Sequence, residues 1–549
     1  MTIASRFFER AMKLPPAPNR AVKVERDLRI PMPDGIELLA DRYHADGDGR
    51  APLVLVRSPY GRRGVWGLMF GRLLAERGFQ VLVQSCRGTF GSGGVLDPFG
   101  PDEREDGLAT IRWMREQPWY PGVFGTTGPS YLGMVQWAIA AEAGPDLKAI
   151  AAYVTTSDFR SAFYAGDAFY LETALTWVHQ VAHQEQRLHL VRQPRAERKL
   201  QALWNHLPLR DLDRLATGHQ VAYYQEWLTH NGIDDDYWKE RRFAETLDRV
   251  TAPVSMVTGW NDIFLPLQMR DYAALRAAGQ QPYLTVGPWR HADQEAAAAW
   301  VNDSVAWLRA QLLGDHSGLR EQPVRIFVTG AEEWRELPAW PPPTQAQRWH
   351  LQPNQALAPD LPAPSEPDRY RYDPADPTPS LGGPVGMDGR ARMDNRVLEA
   401  RPDVLTYTSE PLPADLEVLG EASADLFVRS SREHTDFFAR LCDVDPAGVS
   451  INICDALLRV TPGRPSPEPD GTIRLRFALW PAAHRFGRGH RLRLQVSSGA
   501  HPRYARNPGS GEPLGTGLAL FAADQQVRHD PEHPSAIVLP VGTDAGSGS

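Results

Sequence analysis

A serine between two glycines is the clearest chemical signal in the sequence. In Gly128-Pro-Ser130-Tyr-Leu-Gly133 the serine follows a predicted strand, 123–128, and precedes an apolar, helix-like stretch, 134–144. Strand, turn and helix in this order are the setting of the G-x-S-x-G nucleophile elbow, here with the second glycine one position later. So tight a turn strains the serine backbone, and side chains at 128 or 133 would collide with the neighbouring strand and helix. The pattern predicts a nucleophilic Ser130; the alternative is an ordinary glycine-rich turn.

A serine hydroxyl needs a general base to remove its proton, and the base needs an acid that orients it. Asp262 lies in GWNDIF, directly after an apolar run, and His291 lies in GPWRH, directly after another. Both follow the carboxyl ends of predicted strands, where open α/β sheets place their sites. The three residues therefore predict a Ser-His-Asp triad. The alternatives are an aspartate that caps the next helix and a histidine on a surface loop.

Two groups are candidates for binding the oxyanion that such a serine would generate. One is the backbone N–H of Tyr131, the residue after the nucleophile. The other is Tyr60 in RSPYGR, which stands at the end of the predicted strand 52–58. From the residues alone, Tyr60 is equally well explained as an aromatic side chain that packs on its loop.

The elements that must position these residues alternate between strand and helix. This alternation predicts a sheet covered by helices on both faces. The stretch 151–245 is helical and aromatic, and it predicts an inserted cap. After about residue 319, short β-type segments between Pro and Gly turns predict a jelly-roll or sandwich domain. The predicted boundaries are 1–150 and 246–319 for the α/β domain, 151–245 for the cap and 320–549 for the jelly roll.

Composition excludes several classes of protein. The 549 residues are 42% hydrophobic and carry a net charge of −8, so no nucleic acid or anionic membrane is expected as a partner. Three cysteines are too few for a disulfide framework or a structural zinc site, and we expect no metal and no cofactor. The N-terminal residues lack the apolar core of a signal peptide, and no run of about 18 apolar residues occurs. These features predict a cytoplasmic protein.

Motifs along almost the whole chain resemble one family. The sequence is similar to the group of cocaine esterases, α-amino-acid ester hydrolases and X-Pro dipeptidyl-peptidases. The similar segments are RSPYGR, CRGTFGSGG, EDGLATIRWMREQPW, GPSYLG, GWNDIF, GPWRH, PVRIFVTGAEEWR, DVLTYTS and HRLRLQVSSGAHPRYARN. The sequence departs from the family at Ser85-Cys86, where relatives commonly have an aspartate before the arginine.

This resemblance implies an α/β-hydrolase domain with an inserted helical cap, followed by an all-β jelly-roll domain. It assigns the roles of nucleophile, general base and orienting acid to Ser130, His291 and Asp262. It also implies that the Tyr60 side chain donates to the oxyanion beside the Tyr131 N–H. Two aromatic residues, Phe264 and Trp177, correspond to residues that contact substrate, Phe264 in the acyl pocket and Trp177 on the cap.

The expected function is a serine hydrolase that cleaves a small-molecule ester or amide through an acyl-enzyme. An ester is favoured over dipeptide release because no carboxylate that would bind a substrate amine can be assigned. X-Pro dipeptidyl-peptidase activity and β-lactam acylase or acyltransferase activity are the alternatives on the same triad. An alternative of another class is a non-catalytic binding protein on a hydrolase scaffold. A homo-oligomer is left open.

Overall fold

The structure is a computed structural model that describes residues 2–45, 50–186, 189–384 and 390–543. Two compact units divide the chain. The first unit comprises Met1–Ala162 and Asp236–Arg325, and the second comprises Phe163–Asp235 and Ile326–Ser549. The helical segment Phe163–Asp235 thus groups with the C-terminal residues and not with the first unit. The domain boundaries given above stay predictions.

A central sheet organises the first unit. Its strands in this unit are β1 (Val22–Pro31), β2 (Glu37–Ala45), β3 (Leu53–Ser58), β4 (Gln80–Ser85), β5 (Phe124–Pro129), β6 (Leu147–Tyr153), β7 (Val254–Asn261) and β8 (Tyr283–Arg290). β1 and β2 pair antiparallel, as do β2 and β4, and the remaining pairs from β4 to β8 are parallel. Across the sheet these eight strands lie in the order β1-β2-β4-β3-β5-β6-β7-β8.

Helices cover this sheet, as the alternation of patterns predicts. All six residues of β3 and of β4 are buried, which is typical of strands packed on both faces. The helices of the first unit include Ile3–Ala11, the three consecutive segments Gly64–Trp66, Gly67–Arg72 and Leu73–Ala75, and then Asp102–Arg115, Tyr131–Ala140, Asp236–Lys239, Ala244–Arg249, Leu265–Ala277 and Gln294–Leu313. The predicted α/β arrangement is confirmed.

The second unit combines helices with a large, mostly antiparallel sheet. Backbone hydrogen bonds join its two segments, for example from Arg210 N to Gly515 O (3.0 Å) and from Ala505 N to Phe169 O (2.8 Å). Its longer helices are Leu171–His183, His189–Leu203, Leu212–Thr217 and Ala222–Thr229. Its strands include Thr344–Gln352, Asp368–Tyr372, Leu405–Ser409, Leu416–Ser430, Thr435–Val444, Ser450–Val460, Ile473–Phe486, Arg491–Ser497, Ala523–Arg528 and Ala536–Gly542.

Two further observations bear on the composition. Cys86, Cys442 and Cys454 are all buried and carry free thiols. Among the described residues, no helix combines the length and the apolar character that crossing a bilayer requires.

Candidate active site

Ser130 occupies a strained position between β5 and the helix Tyr131–Ala140. Its backbone has φ 56° and ψ −122°, a region that non-glycine residues rarely adopt. Its carbonyl oxygen accepts hydrogen bonds from Gly133 N at 2.9 Å and from Thr155 Oγ1 at 2.8 Å. These bonds hold the sharp turn that the sequence predicts for a nucleophile elbow.

Both glycines of the elbow are required by close contacts. A Cβ atom on Gly128, whose φ is +149°, would lie 2.4 Å from the Cβ of Leu132. A Cβ atom on Gly133 would lie 2.6 Å from Thr155 Cγ2, which follows β6. Real Cβ contacts are not this short, so the collisions expected from the sequence are present at both positions. The residue that contacts Thr155 is the third one after Ser130, and for this reason the second glycine is required at position 133.

Asp262, His291 and Ser130 form one chain of hydrogen bonds. His291 Nδ1 lies 2.8 Å from Asp262 Oδ2, and His291 Nε2 lies 3.1 Å from Ser130 Oγ. Asp262 is fully buried, and the His291 side chain is 14% exposed. Asp262 Oδ1 also accepts a hydrogen bond from Phe264 N at 2.7 Å, just before the helix Leu265–Ala277. One carboxylate thus contacts both the imidazole and the start of a helix, which were the two roles considered for Asp262.

Two glycines that the sequence analysis did not single out let Asp262 and His291 meet. Gly259 on β7 and Gly287 on β8 are direct partners in the parallel pair. A Cβ atom on Gly259 would lie 2.2 Å from the carbonyl oxygen of Trp289, and one on Gly287 would lie 2.4 Å from the Trp289 ring. The last residues of β8 therefore fold directly over the end of β7. The only sequence signal was that each motif, GWND and GPWRH, begins with glycine.

An ion pair between Arg290 and Asp293 fixes the turn that carries His291. Arg290 N donates to Asp293 Oδ2 at 2.7 Å, and the Arg290 guanidinium donates to Asp293 Oδ1 at 3.0 Å from Nε and at 2.7 Å from a terminal nitrogen. This arginine-carboxylate pair brackets the histidine on both sides. Sequence reasoning missed Asp293, although an arginine and an aspartate flanking the histidine were a signal that could have found it.

The rings of Tyr60 and Tyr131 are in edge-to-face contact, with centroids 6.4 Å apart. Tyr60 also stacks on Trp66 at 5.6 Å. Tyr131 begins the helix after Ser130, and helix N-termini favour negative charge. The structure thus brings Tyr60 to the residue that follows the candidate nucleophile. The role of its hydroxyl stays a prediction.

The two predicted substrate contacts lie in different units. The Phe264 ring is 8% exposed and packs edge to face against the His291 ring, with centroids 5.2 Å apart. Trp177 belongs to the second unit, where its ring contacts Tyr223 at 5.8 Å and Trp227 at 5.9 Å. Phe264 is therefore part of the immediate surroundings of the triad, and a substrate contact by Trp177 stays a prediction.

Among the described residues, two overlapping clusters in the second unit have donor atoms close enough to hold a metal ion. They share His533, whose Nδ1 already lies 3.1 Å from Asp530 Oδ1. Most of their carboxylates are exposed, and exposed acidic groups commonly occur without an ion. The clusters are Glu468, Asp470 and His533, and Asp530, Glu532 and His533. None of these residues belongs to the predicted site.

Comparison with known proteins places the chain in a family. Residues 34–293 match the model of the X-Pro dipeptidyl-peptidase (S15 family), and residues 317–538 match the X-Pro dipeptidyl-peptidase C-terminal non-catalytic domain. The chain is 32% identical to a cocaine esterase of Rhodococcus sp. (strain MB1 Bresler), over 94% of this chain and 98% of that protein. It is 24% identical to an Xaa-Pro dipeptidyl-peptidase of Lactobacillus helveticus (strain DPC 4571), over 49% of this chain and 35% of that protein.

A solved structure has the same fold over nearly the whole length. An α-amino acid ester hydrolase superposes with a TM-score of 0.80 at 24% identity, covering 96% of this chain and 98% of that chain. The predicted fold class and family resemblance are both confirmed by these matches. The chain belongs to the S15 family of serine hydrolases that includes cocaine esterase and the X-Pro dipeptidyl-peptidases, and it is an enzyme.

Proposed function

We propose that the chain hydrolyses small carboxylic esters through an acyl-enzyme on Ser130. The observation that carries the proposal is the hydrogen-bond chain from Asp262 through His291 to Ser130, with lengths of 2.8 and 3.1 Å. A buried carboxylate that accepts the Nδ1 proton leaves Nε2 free of hydrogen and able to take the serine proton. The strained elbow supports the same role, because it presents Oγ at the sharpest point of the turn.

Each step of the reaction then follows from a named atom. His291 Nε2 accepts the Ser130 proton while Oγ bonds to the ester carbonyl carbon, and the carbonyl oxygen becomes an oxyanion. The Tyr60 hydroxyl and the Tyr131 N–H donate to that oxyanion. The carbon-oxygen bond to the alcohol breaks, and His291 returns the proton to the departing oxygen. A water molecule then repeats the sequence, giving its proton to His291 and releasing the acid from Ser130.

An ester is favoured over an X-Pro peptide by the distribution of similarity. The cocaine esterase relative matches along 98% of its own length, whereas the Lactobacillus dipeptidyl-peptidase matches along 35% of its length. About two thirds of that peptidase therefore lies outside the match. Phe264 supports an acyl pocket beside the triad, since its ring lies edge to face against His291. Trp177 is proposed as a second aromatic contact of the substrate.

The test combines active-site labelling with a substrate panel. Wild type and Ser130→Ala are treated with a fluorophosphonate and weighed by intact-mass spectrometry. Ser317→Ala, which alters an exposed serine of the same unit, is the matched control. We expect one label on wild type and on the control and none on Ser130→Ala. The same preparations are assayed with p-nitrophenyl acyl esters of rising chain length and with X-Pro p-nitroanilides.

The outcomes separate the alternatives. Labelling with ester turnover supports the proposal. Labelling with turnover of X-Pro anilides alone replaces it with dipeptidyl-peptidase activity, the second candidate, which the match to the S15 family model favours. Absence of labelling in folded wild type refutes catalysis by Ser130.

A further inference from the structure

A buried ion pair lies next to the candidate oxyanion site. An Arg57 terminal nitrogen donates to Glu103 Oε2 at 2.8 Å, and the Tyr131 hydroxyl donates to Glu103 Oε1 at 2.6 Å. A second Arg57 nitrogen donates to the Glu103 carbonyl oxygen at 2.6 Å. The side chains of Arg57 and Glu103 are 1% and 4% exposed. Both carboxylate oxygens of Glu103 are thus used, one by a cation and one by the residue that follows Ser130.

The ion pair connects three elements of the first unit. Arg57 belongs to β3, three residues before Tyr60, and Glu103 belongs to the first turn of the helix Asp102–Arg115. Tyr131 begins the helix Tyr131–Ala140. The two groups predicted to hold the oxyanion, the Tyr60 hydroxyl and the Tyr131 N–H, are therefore on two segments that meet at Glu103.

The helix Asp102–Arg115 packs closely against both neighbouring elements at Gly107. A Cβ atom on Gly107 would lie 2.8 Å from an Arg57 terminal nitrogen and 2.5 Å from Ile139 Cγ2, so the helix Asp102–Arg115 approaches both β3 and the helix after Ser130. On the other side of the phenol, Phe99 N donates to the Tyr131 hydroxyl at 3.2 Å, and the Phe99 ring lies 4.8 Å from the Tyr131 ring. The Tyr131 side chain is thereby held at its hydroxyl and along its ring.

The burial and charge around Tyr131 determine that its hydroxyl donates and that the Glu103 carboxylate accepts. Burial and the nearby Glu103 carboxylate raise the pKa of the Tyr131 phenol well above its usual value, so it stays protonated and donates to Glu103. Burial raises the pKa of Glu103 as well, and the Arg57 guanidinium opposes that shift. A buried ion pair adds little net stability, because desolvation of the two charges offsets their attraction. Its contribution here is the fixed geometry that it imposes on Tyr131.

We propose that Glu103 and Arg57 are positioning residues that hold Tyr131 so that its backbone N–H is aimed at the oxyanion. This role rests on the function proposed above. Neither side chain contacts the reacting atoms; both act through the Tyr131 phenol. A misplacement of a catalytic group by about 1 Å can lower a rate by about 100-fold. Loss of the phenol contact should therefore appear in the chemical step and not in substrate binding.

Tyr131→Phe tests the proposal, because it removes one hydroxyl and keeps the ring and the backbone N–H. With a p-nitrophenyl ester we expect kcat to fall by about 10- to 100-fold, and KM to change by less than about twofold. The inhibition constant of a trifluoromethyl ketone, which forms an oxyanion on the serine, should rise by the same factor as kcat/KM falls. If the Tyr131 hydroxyl had only a structural role, its loss would lower the thermal midpoint but would not change kcat/KM and the inhibition constant by the same factor.

Tyr153→Phe is the matched control. Tyr153 is a fully buried tyrosine of the same unit, and its hydroxyl contacts the carboxylate of the half-buried Asp303 at 3.0 Å and Ser304 at 3.0 Å. It should lose comparable stability and keep its kcat. If Tyr131→Phe does not fold, Glu103→Gln replaces it with the same readouts, since the glutamine keeps an acceptor for the phenol and removes the charge that pairs with Arg57.

The labelling of Ser130 separates this proposal from the proposed function. If wild type is labelled at Ser130 and Tyr131→Phe keeps its kcat within about twofold, the positioning role is overturned and the proposed function stands. If wild type is not labelled at Ser130, both fail. Failure of both Tyr131→Phe and Glu103→Gln to fold would also overturn the positioning role, since the cluster would then be a determinant of folding.

Discussion

Replacing Asp262 by asparagine should reverse the tautomer of His291. In the structure Asp262 Oδ1 faces the Phe264 N–H at 2.7 Å, and Oδ2 faces His291 Nδ1 at 2.8 Å. The amide oxygen of an asparagine must take the Oδ1 position, because an NH₂ group there would oppose a buried N–H donor. Its NH₂ group then points at Nδ1. The imidazole must accept at Nδ1 and carry its proton on Nε2, where it can no longer take the proton of Ser130.

The expected loss is large because the base itself is disabled. The corresponding change in a serine protease triad lowers kcat by about 10⁴, which equals about 5.5 kcal/mol in the activation barrier. The assay is kcat on a p-nitrophenyl ester, with the rate of fluorophosphonate labelling measured in parallel. The substitution keeps the shape of the side chain, so thermal unfolding checks that the fold is intact.

Asp303→Asn is the control, since it removes a charge from another carboxylate of the same unit, that of the half-buried Asp303, which accepts from Ser255 Oγ at 2.7 Å. It should keep wild-type kcat. If Asp262→Asn retained more than about a tenth of wild-type kcat, the tautomer of His291 would not depend on Asp262, and the triad assignment would be wrong.

Three further perturbations test other parts of the site. Tyr60→Phe should lower kcat by about 10²–10³ while Ser130 still labels, and near-wild-type turnover would refute its role as an oxyanion donor. Gly259→Ala would place a Cβ atom 2.2 Å from the Trp289 carbonyl oxygen, so calorimetry should show a lower unfolding midpoint together with lost activity; an unchanged midpoint would contradict the close approach of β7 and β8. Burial raises the pKa of Asp271 from its ordinary 3.8 to about 7, so its stabilising contribution is complete below the ordinary value and is lost as the pH rises to about 7. Urea unfolding should therefore show wild type losing up to about 4 kcal/mol relative to Asp271→Asn across that range, whereas a difference independent of pH would refute the shift.

The central strands could be predicted because burial on both faces leaves a plain apolar run. β3, LVLVRS, and β4, QVLVQS, are of this kind and are wholly buried. β1, VKVERDLRIP, was missed because it pairs antiparallel at the edge of the sheet and exposes most of its charged residues. β6, LKAIAAY, was missed because alanine is a strong helix former, and only its position between β5 and β7 makes it a strand.

Other strands of the C-terminal residues could not be recognised from the sequence, because they contain charged residues that the fold buries. Thr435–Val444 is buried along its whole length, although its sequence, TDFFARLCDV, contains three charged residues. In the structure Asp436 pairs with Arg459 at 2.9 Å, and Arg440 pairs with Asp455 at 2.8 Å. The partners come from the next strand, so no local pattern shows that these charges are compensated. The strand Arg491–Ser497, by contrast, alternates polar and apolar residues in the ordinary way, so its sequence alone indicates a strand.

The same distinction applies to the candidate site. Some of its residues can be predicted from their chemical type, whereas others depend on where the fold places them. The hydrogen-bonded set Ser130, Asp262 and His291 could be predicted, because a nucleophile, a base and an orienting acid were sought together at the ends of predicted strands. Glu103 could not, since Asp102, Glu103 and Glu105 all stand in the first turn of one helix, where any acid is favoured by the helix dipole. Successive residues of a helix point about 100° apart, so a helix that turns Glu103 inward directs Asp102 and Glu105 away from that side. Glu103 is 3% exposed and reaches Tyr131, whereas Glu105 is exposed to solvent. Three acids that are equivalent in the sequence thus have different surroundings, and the rotation of the helix against β3 and the elbow decides which of them contacts Arg57 and Tyr131.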